Sequence, residues 1–223
     1  SHELKTPVGA LALLAETLAD EDDQAVTRRL ARRMQIEAAR VGRIIEDLLD
    51  LSRLEAEESP VREPVALHLV VGHAVEQVRP AAELRQISLD VADVPRRLRV
   101  VGDRRQLVSA VFNLLENAVK YSEKGTAVEV KCATDGREVA ISVIDHGMGI
   151  PTRDLERIFE RFYRVDRSRG RDTGGTGLGL AIVRHVATNH GGRVEVDSRE
   201  GDGSTFTLRL PAPSELVALS PSA

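Results

Sequence analysis

The sequence predicts an α+β chain in two parts, an antiparallel helical hairpin followed by a two-layer α/β sandwich. Three observations predict it. Apolar residues up to Leu51 recur at heptad spacing, a charged and proline-bearing stretch "ESPVREP" (58–64) then interrupts them, and beyond it strand patterns in hairpins are interleaved with a few helical ones.

In the first part, Leu4, Val8, Leu11, Ala15 and Leu18 step by four and three residues, which is a helical seam. The acids of "DEDDQ" suit a turn and the positive start of a following helix. A second seam runs through Leu30, Met34, Val41, Ile44, Leu48 and Leu51, with Glu37 the one polar residue in it. A helix from about Gln24 to Glu57 would be roughly 50 Å long. Two such helices cannot cover their own apolar stripes, so two copies forming a four-helix bundle is the economical solution. Packing of the hairpin on the downstream domain is the alternative.

In the second part, Ala66 to about Leu84 reads as helix, and "ISLDVA" (87–92) and "LRVVG" (98–102) as strands. Asp103 followed by Gln106 is a capping-box pattern opening a helix to about Tyr121. "AVEVKCA" (127–133) and "EVAISVID" (138–145) alternate as a strand pair around the turn "DGRE". Gly177 to Asn189 reads as helix, stopped by "HGG" (190–192). "RVEVDS" (193–198) and "STFTLRL" (204–210) finish as strands around "REGDG".

Composition narrows the function. Aromatics are only 3% of 223 residues, so the core must be aliphatic. A net charge of -4 argues against nucleic acid as the partner, because phosphate backbones select basic surfaces. Cys132 stands alone, which excludes an intrachain disulfide and a cysteine metal cluster. No apolar run reaches spanning length and no signal peptide is visible. The absence of an initiator Met suggests a fragment of a longer protein.

Four blocks carry chemistry: "NLLENAVKYS" (113–122), "DHGMGI" (145–150), "FERFYRVD" (159–166) and "GGTGLGLAIV" (174–183). Asp145 ends a strand, where a carboxylate could accept from an adenine amine, and Gly147 and Gly149 allow a flat base to approach the backbone. The glycines before the last helix, with that helix's start, suit an anion. The pattern is not the Walker type, which needs a Lys after the last Gly. Asn113, Asn117 and Lys120 share a helix face. Asn117 offers a hard amide oxygen suited to Mg²⁺, and Lys120 a point charge for phosphate. "RVDRSRGRDT" (164–173) holds four arginines and reads either as a solvated loop or as a lid. His68, His73, His146, His185 and His190 have no ligand-like spacing.

These blocks, in this order, together with the opening "SHELKTP", resemble the sensor histidine kinases of two-component signalling. The resemblance runs from Ser1 to about Pro211: "SHELKTP" is similar to the phosphoacceptor H box, and the four later blocks to the N, G1, F and G2 boxes. Within the family the pattern resembles the membrane-tethered, phosphate-responsive type. The resemblance implies a sandwich of the GHKL ATPase type behind a dimeric hairpin. It implies 1–58 as the dimerisation and phosphotransfer hairpin, 59–65 as a linker, 66–211 as the ATP-binding domain and 212–223 as a disordered tail.

By the same resemblance, His2 would be the phosphoacceptor, Glu3 its acid/base partner, and Thr6 would position water for dephosphorylating the partner. Asn117 would hold Mg²⁺, with Asn113 supporting it. Lys120 and Arg164 would contact the ATP phosphates, Tyr121 would flank the base and Asp145 would bind its amine. Gly147, Gly149, Ile150, Gly175, Thr176, Gly177, Leu178 and Gly179 would shape the ATP pocket, with Phe159 and Phe162 anchoring the lid. The implied partners are a response regulator receiver domain and a second copy of the chain, with the membrane reached only through an upstream segment. The implied location is the cytoplasmic portion of a bacterial inner-membrane sensor. Pro7 lacks the N–H that would bond the Glu3 carbonyl, so a bend is expected below His2. Three rivals remain at this point: a related ATPase without the hairpin, a scaffold with a decayed nucleotide site, and mainly a phosphatase.

Overall fold

The computed structural model describes residues 2–56, 62–165 and 175–213, the first three as backbone only. Two helices, α1 (His2–Ala19) and α2 (Gln24–Ala56), pack as the expected hairpin. Asp23 caps α2, its carboxylate accepting from the N–H groups of Ala25 and Val26. Pro7 lies inside α1 and is buried, and the helix runs on past it to Ala19. Of the α2 seam, Ile44 and Leu51 are the buried positions, while Ile45 and Leu49, one helical turn apart, stay about half exposed.

The second part opens earlier than the sequence suggests. Residues 63–65, read as linker, belong to strand β1 (Glu63–Ala66), which pairs antiparallel with β3 (Arg99–Gly102). Pro64 has no N–H to give to a ladder, but an edge strand tolerates that loss. Of the rest of the linker, 59–61 fall outside the described residues, and the Arg62 guanidinium donates to the Asn189 carbonyl at 3.1 Å. Then come α3 (Leu67–Arg85), β2 (Ser88–Val91), α4 (Arg104–Tyr121), β4 (Ala127–Thr134), β5 (Glu138–Asp145), α5 (Gly179–Asn189), β6 (Arg193–Arg199) and β7 (Gly203–Pro211). The last helix starts at Gly179 rather than Gly177. Of the expected tail, Ala212 is tied to the domain by its N–H to the Arg137 carbonyl, and 214–223 lie outside the described residues.

The main sheet has the order β2-β4-β5-β7-β6, antiparallel except for the β2–β4 pair. Helices α3, α4 and α5 pack on one another and on this sheet, which makes the two layers. Alternation along β5 buries Val139, Ile141, Val143 and Asp145 in one row, and β7 answers with Ser204, Phe206, Leu208 and Leu210. The period of two therefore carries a carboxylate onto the core face at the strand's end. The core itself is aliphatic, with Phe159 and Phe206 meeting edge to face. Among the described residues no helix is long and apolar enough to cross a membrane.

The capping signal at Asp103 is half realised. Its carboxylate accepts from the N–H groups of Arg105 and Gln106, but its own N–H donates to His190 Nε2 at 3.0 Å. His190 Nδ1 in turn donates to the Val186 carbonyl at 2.8 Å, which fixes the neutral tautomer. A Cβ on Gly102 would lie 2.2 Å from the His190 ring, so the two elements touch through that glycine. Burial lowers the His190 pKa from its ordinary 6.5. A lowered value in the folded state means the unfolded chain binds more protons just below pH 6.5, so His190 favours folding above that pH and less as the pH falls. Denaturant midpoints should therefore drop between pH 7 and 5. His190→Gln, which does not titrate, should lose that part of the pH dependence, and His190→Ala should cost roughly 1–3 kcal/mol at pH 7.5.

Candidate functional site

One cavity of about 260 Å³ lies between α4, the turn after β5, the segment before α5 and the flank of α2. Its two ends differ in chemistry. At one end Asp145, only 6% exposed, accepts from the Gly147 N–H at 2.9 Å. Burial raises its pKa, and the backbone N–H groups of Gly147 and Ser204 partly oppose that rise. Met148, Ile150, Ile158, Leu180 and Phe206 supply apolar wall. A buried acceptor in an apolar slot suits a flat heterocycle bearing an exocyclic amine.

At the other end stand Lys120, Arg164, Asn117, Glu116 and the loop Gly175–Gly179. Burial lowers the Lys120 ammonium to about 8, with the neighbouring Arg164 charge acting in the same direction and Glu116 opposing. Its Nζ sits 4.9 Å from the Tyr121 ring centroid, a cation–π contact. A Cβ on Gly175 would lie 2.0 Å from that Nζ, so a side chain there would push the ammonium aside. Arg164 Nη1 donates to the Gly175 carbonyl at 2.9 Å, and the Phe162 N–H to the Gly177 carbonyl at 2.8 Å. Phe162 holds φ 64, an uncommon value for a residue with a Cβ. Those two bonds clip together the chain ends on either side of residues 166–174. The lid expected there lies outside the described residues, apart from Arg164 and Val165.

Most of the expected residues converge. Asn113, Asn117, Lys120, Tyr121, Asp145, Gly149, Ile150, Arg164, Gly175, Thr176, Gly177 and Gly179 all line the cavity. Asn113 is nearly buried, its amide donating to the Ser109 carbonyl at 2.9 Å. Two stand behind the wall. Leu178 is fully buried in the apolar core at the head of α5, and Gly147 shapes the turn with its backbone. The backbone of His2 and Glu3 occupies the first turn of α1, and Thr6 is exposed one turn on.

Other lining residues were not singled out from the sequence, among them Asp47, Glu116, Met148 and Tyr163. Glu116 was legible, being three residues after Asn113 on the same helix face. Tyr163 donates its OH to Asp154 at 2.6 Å and lies under the Arg157 guanidinium, so it sets the course of the chain leaving that turn. Asp47 had no local signal, since it reads as one more polar position of a long helix.

Comparison with known proteins places this geometry. Residues 102–214 match the family described as histidine kinase-, DNA gyrase B- and HSP90-like ATPases, and residues 1–57 match the His Kinase A (phospho-acceptor) domain. The chain is 49% identical over 214 residues to the sensor-like histidine kinase SenX3 of Mycobacterium tuberculosis, covering 95% of this chain and 52% of SenX3. It is 40% identical to the phosphate regulon sensor protein PhoR of Pseudomonas aeruginosa, covering 97% of this chain and 49% of PhoR. The chain thus spans about half the length of these relatives. Among solved structures, the mycobacterial sensor histidine kinase MprB superposes with a TM-score of 0.60 at 34% identity, covering 68% of this chain and 98% of that one.

The turn after β5 allows a direct test of the site's backbone. A Cβ on Gly147 would fall 2.2 Å from the Tyr121 carbonyl oxygen, where main chain blocks it. Gly147→Ala should cost about 1–3 kcal/mol, read as a lower denaturant midpoint with an unchanged m-value.

Proposed function

Since the chain belongs to the sensor histidine kinases, joining a phospho-acceptor hairpin to an ATPase domain of the gyrase B and HSP90 type, we propose that it transfers the γ-phosphoryl group of ATP to His2. The phosphoryl group then passes to an aspartate of a response regulator. The observation that carries the reading is one cavity with an amine-accepting carboxylate at one end and a cationic, glycine-lined loop at the other.

The chemistry follows from the residues. Asp145 takes the adenine amine, and the apolar wall holds the ring. Tyr121, beside Lys120, flanks the nucleotide. The ammonium of Lys120, the guanidinium of Arg164 and the N–H groups near Gly179 meet the phosphates. A neutral His2 imidazole attacks the terminal phosphorus, a nitrogen–phosphorus bond forms, the bond to the β-phosphate oxygen breaks, and ADP leaves. The imidazole proton goes to a base, for which Glu3 is the candidate next in the chain. Such transfers depend mainly on positioning and charge neutralisation.

Mg²⁺ fits this end of the cavity. Asn117 and Glu116 offer oxygen donors beside Lys120, and among the described residues no cluster of three or more metal-binding side chains exists. The ion would take protein oxygen from Asn117 and the remainder from phosphate and water, and when bound it supplies neutralisation of phosphate charge. The finer assignments rest on the same footing. Thr6 lies one helical turn from His2 and would orient water for hydrolysis of the regulator's acyl phosphate. Half-exposed apolar residues on the hairpin, Val8, Ile45 and Leu49 among them, suit a second copy in a four-helix bundle. The phosphate-responsive type named for PhoR extends to this chain as a proposal, as do membrane anchorage by another segment and a cytoplasmic site of action.

Incubation with labelled ATP and Mg²⁺ should place acid-labile phosphate on the protein. His2→Gln should abolish it while leaving nucleotide binding intact, and Asp145→Asn should weaken binding by about tenfold or more. Acid-labile label persisting in His2→Gln would remove the phosphoacceptor assignment.

Lys120 adds a pH prediction. Its ammonium is charged below about 8 and neutral above. Phosphate favours the charged form, so binding takes up a proton at alkaline pH and affinity falls as pH rises through that value. Calorimetry with Mg-ADP should show Kd rising between pH 7.5 and 9.5, and Lys120→Arg should flatten the profile.

A further inference from the structure

Helix α2 reaches the nucleotide cavity from outside the sandwich. Its Leu51 is 3% exposed and belongs to the same apolar cluster as the domain core, with Leu48 and Leu54 packed on that cluster. Asp47, Leu51, Leu54 and Glu55 share one side of the helix. Three polar contacts cross from that side. Thr176 Oγ1 donates to Asp47 Oδ2 at 2.5 Å, Arg161 pairs with Glu55, and His185 Nε2 meets the Leu54 carbonyl at 3.1 Å. Their partners are the glycine loop, the segment leading to Arg164, and the helix that follows the loop. The glycine-loop side of the cavity is thus held by one end of one helix.

We propose that Asp47 is an internal competitor of the nucleotide: docked by α2, its carboxylate enters the cavity and engages the Thr176 hydroxyl, so docking of the hairpin and binding of the triphosphate oppose each other. This rests on the ATP reading of the cavity. The loop end is built for an anion, with Lys120, Arg164 and backbone donors around it, and a second anion reaching in from α2 shares that space. Among the described residues no cation pairs with Asp47. Burial raises its pKa, and Glu116, Asp50 and Glu46 push the same way against the Thr176 bond. A polyphosphate beside it would add further like charge in a poorly solvated space.

The coupling is reciprocal, so whatever strengthens docking weakens binding by the same factor, and nucleotide loosens the end of α2. The sign separates this from the other role open to a carboxylate. Were Asp47 a metal ligand or a support of the productive loop, its removal would weaken binding.

The test uses the full chain with Mg²⁺ and a non-hydrolysable ATP analogue in calorimetry. Asp47→Asn, which keeps shape and an acceptor, and Asp47→Ala should each tighten binding roughly five- to tenfold. Glu55→Ala breaks the Arg161 pair without touching the cavity lining and should also tighten it. Hydrogen exchange over 44–56 in the unaltered chain should quicken at saturating analogue. Unchanged or weaker binding in Asp47→Asn and Glu55→Ala, or exchange indifferent to nucleotide, would overturn the proposal while leaving ATP binding in place. An unaltered chain that takes up no analogue would overturn both. Should Asp47→Ala fail to fold, the other two variants decide.

Discussion

A carboxylate held under the surface of an aliphatic core constrains the whole second domain. Asp145 arrives there because it continues the inward row of Val139, Ile141 and Val143 along β5. An ion so placed must be given N–H donors or be neutralised. The donors come from backbone, at Gly147 in the following turn and at Ser204 on the neighbouring strand. Meeting that need draws β7 close: a Cβ on Gly203 would lie 2.1 Å from the Asp145 carbonyl oxygen. The same turn bridges to Ser122 just past α4. Satisfying one side chain therefore fixes the end of α4, and with it the positions of Asn117 and Lys120.

The opposite end of the cavity has the complementary problem. Lys120 is an ammonium in partial burial, supported by the Tyr121 ring and by Glu116 but crowded by Arg164. Two cations held near each other repel, which favours a polyanionic ligand between them. The site is thus pre-organised for charge that arrives with the substrate. The Phe162–Gly177 and Arg164–Gly175 bonds hold the segment bearing Arg164 against the glycine loop.

What the sequence made legible was what local spacing encodes. Heptad steps gave the two long helices to within a residue or two, alternation gave β4 and β5, and Asp103 announced α4. Four boxes in order brought together most of the cavity lining. What it hid depended on partners far along the chain. Strand β1 is four residues long and includes a proline, and only pairing with β3 makes it a strand. The Asp103 N–H looked destined for its own helix, but His190, 87 positions on, takes it. Leu178 follows a glycine of the loop and so reads as pocket, but helix α5 turns it into the core. Asp47 lies 129 positions from the hydroxyl it accepts from, and no pattern within a helix can announce that.

The seam of α2 is divided between two tasks. Its earlier turns pack on α1, while its last turns, through Leu48, Leu51 and Leu54, join the core of the ATPase domain. Ile45 and Leu49 lie about half exposed between these commitments. A helix is stiff over such a length, so rotation or sliding that improves one contact must disturb the other. The packing of the hairpin and the opening of the nucleotide cavity are consequently not independent. A shift or rotation of α2 would be felt at Leu51, and through that side of the helix at the glycine loop.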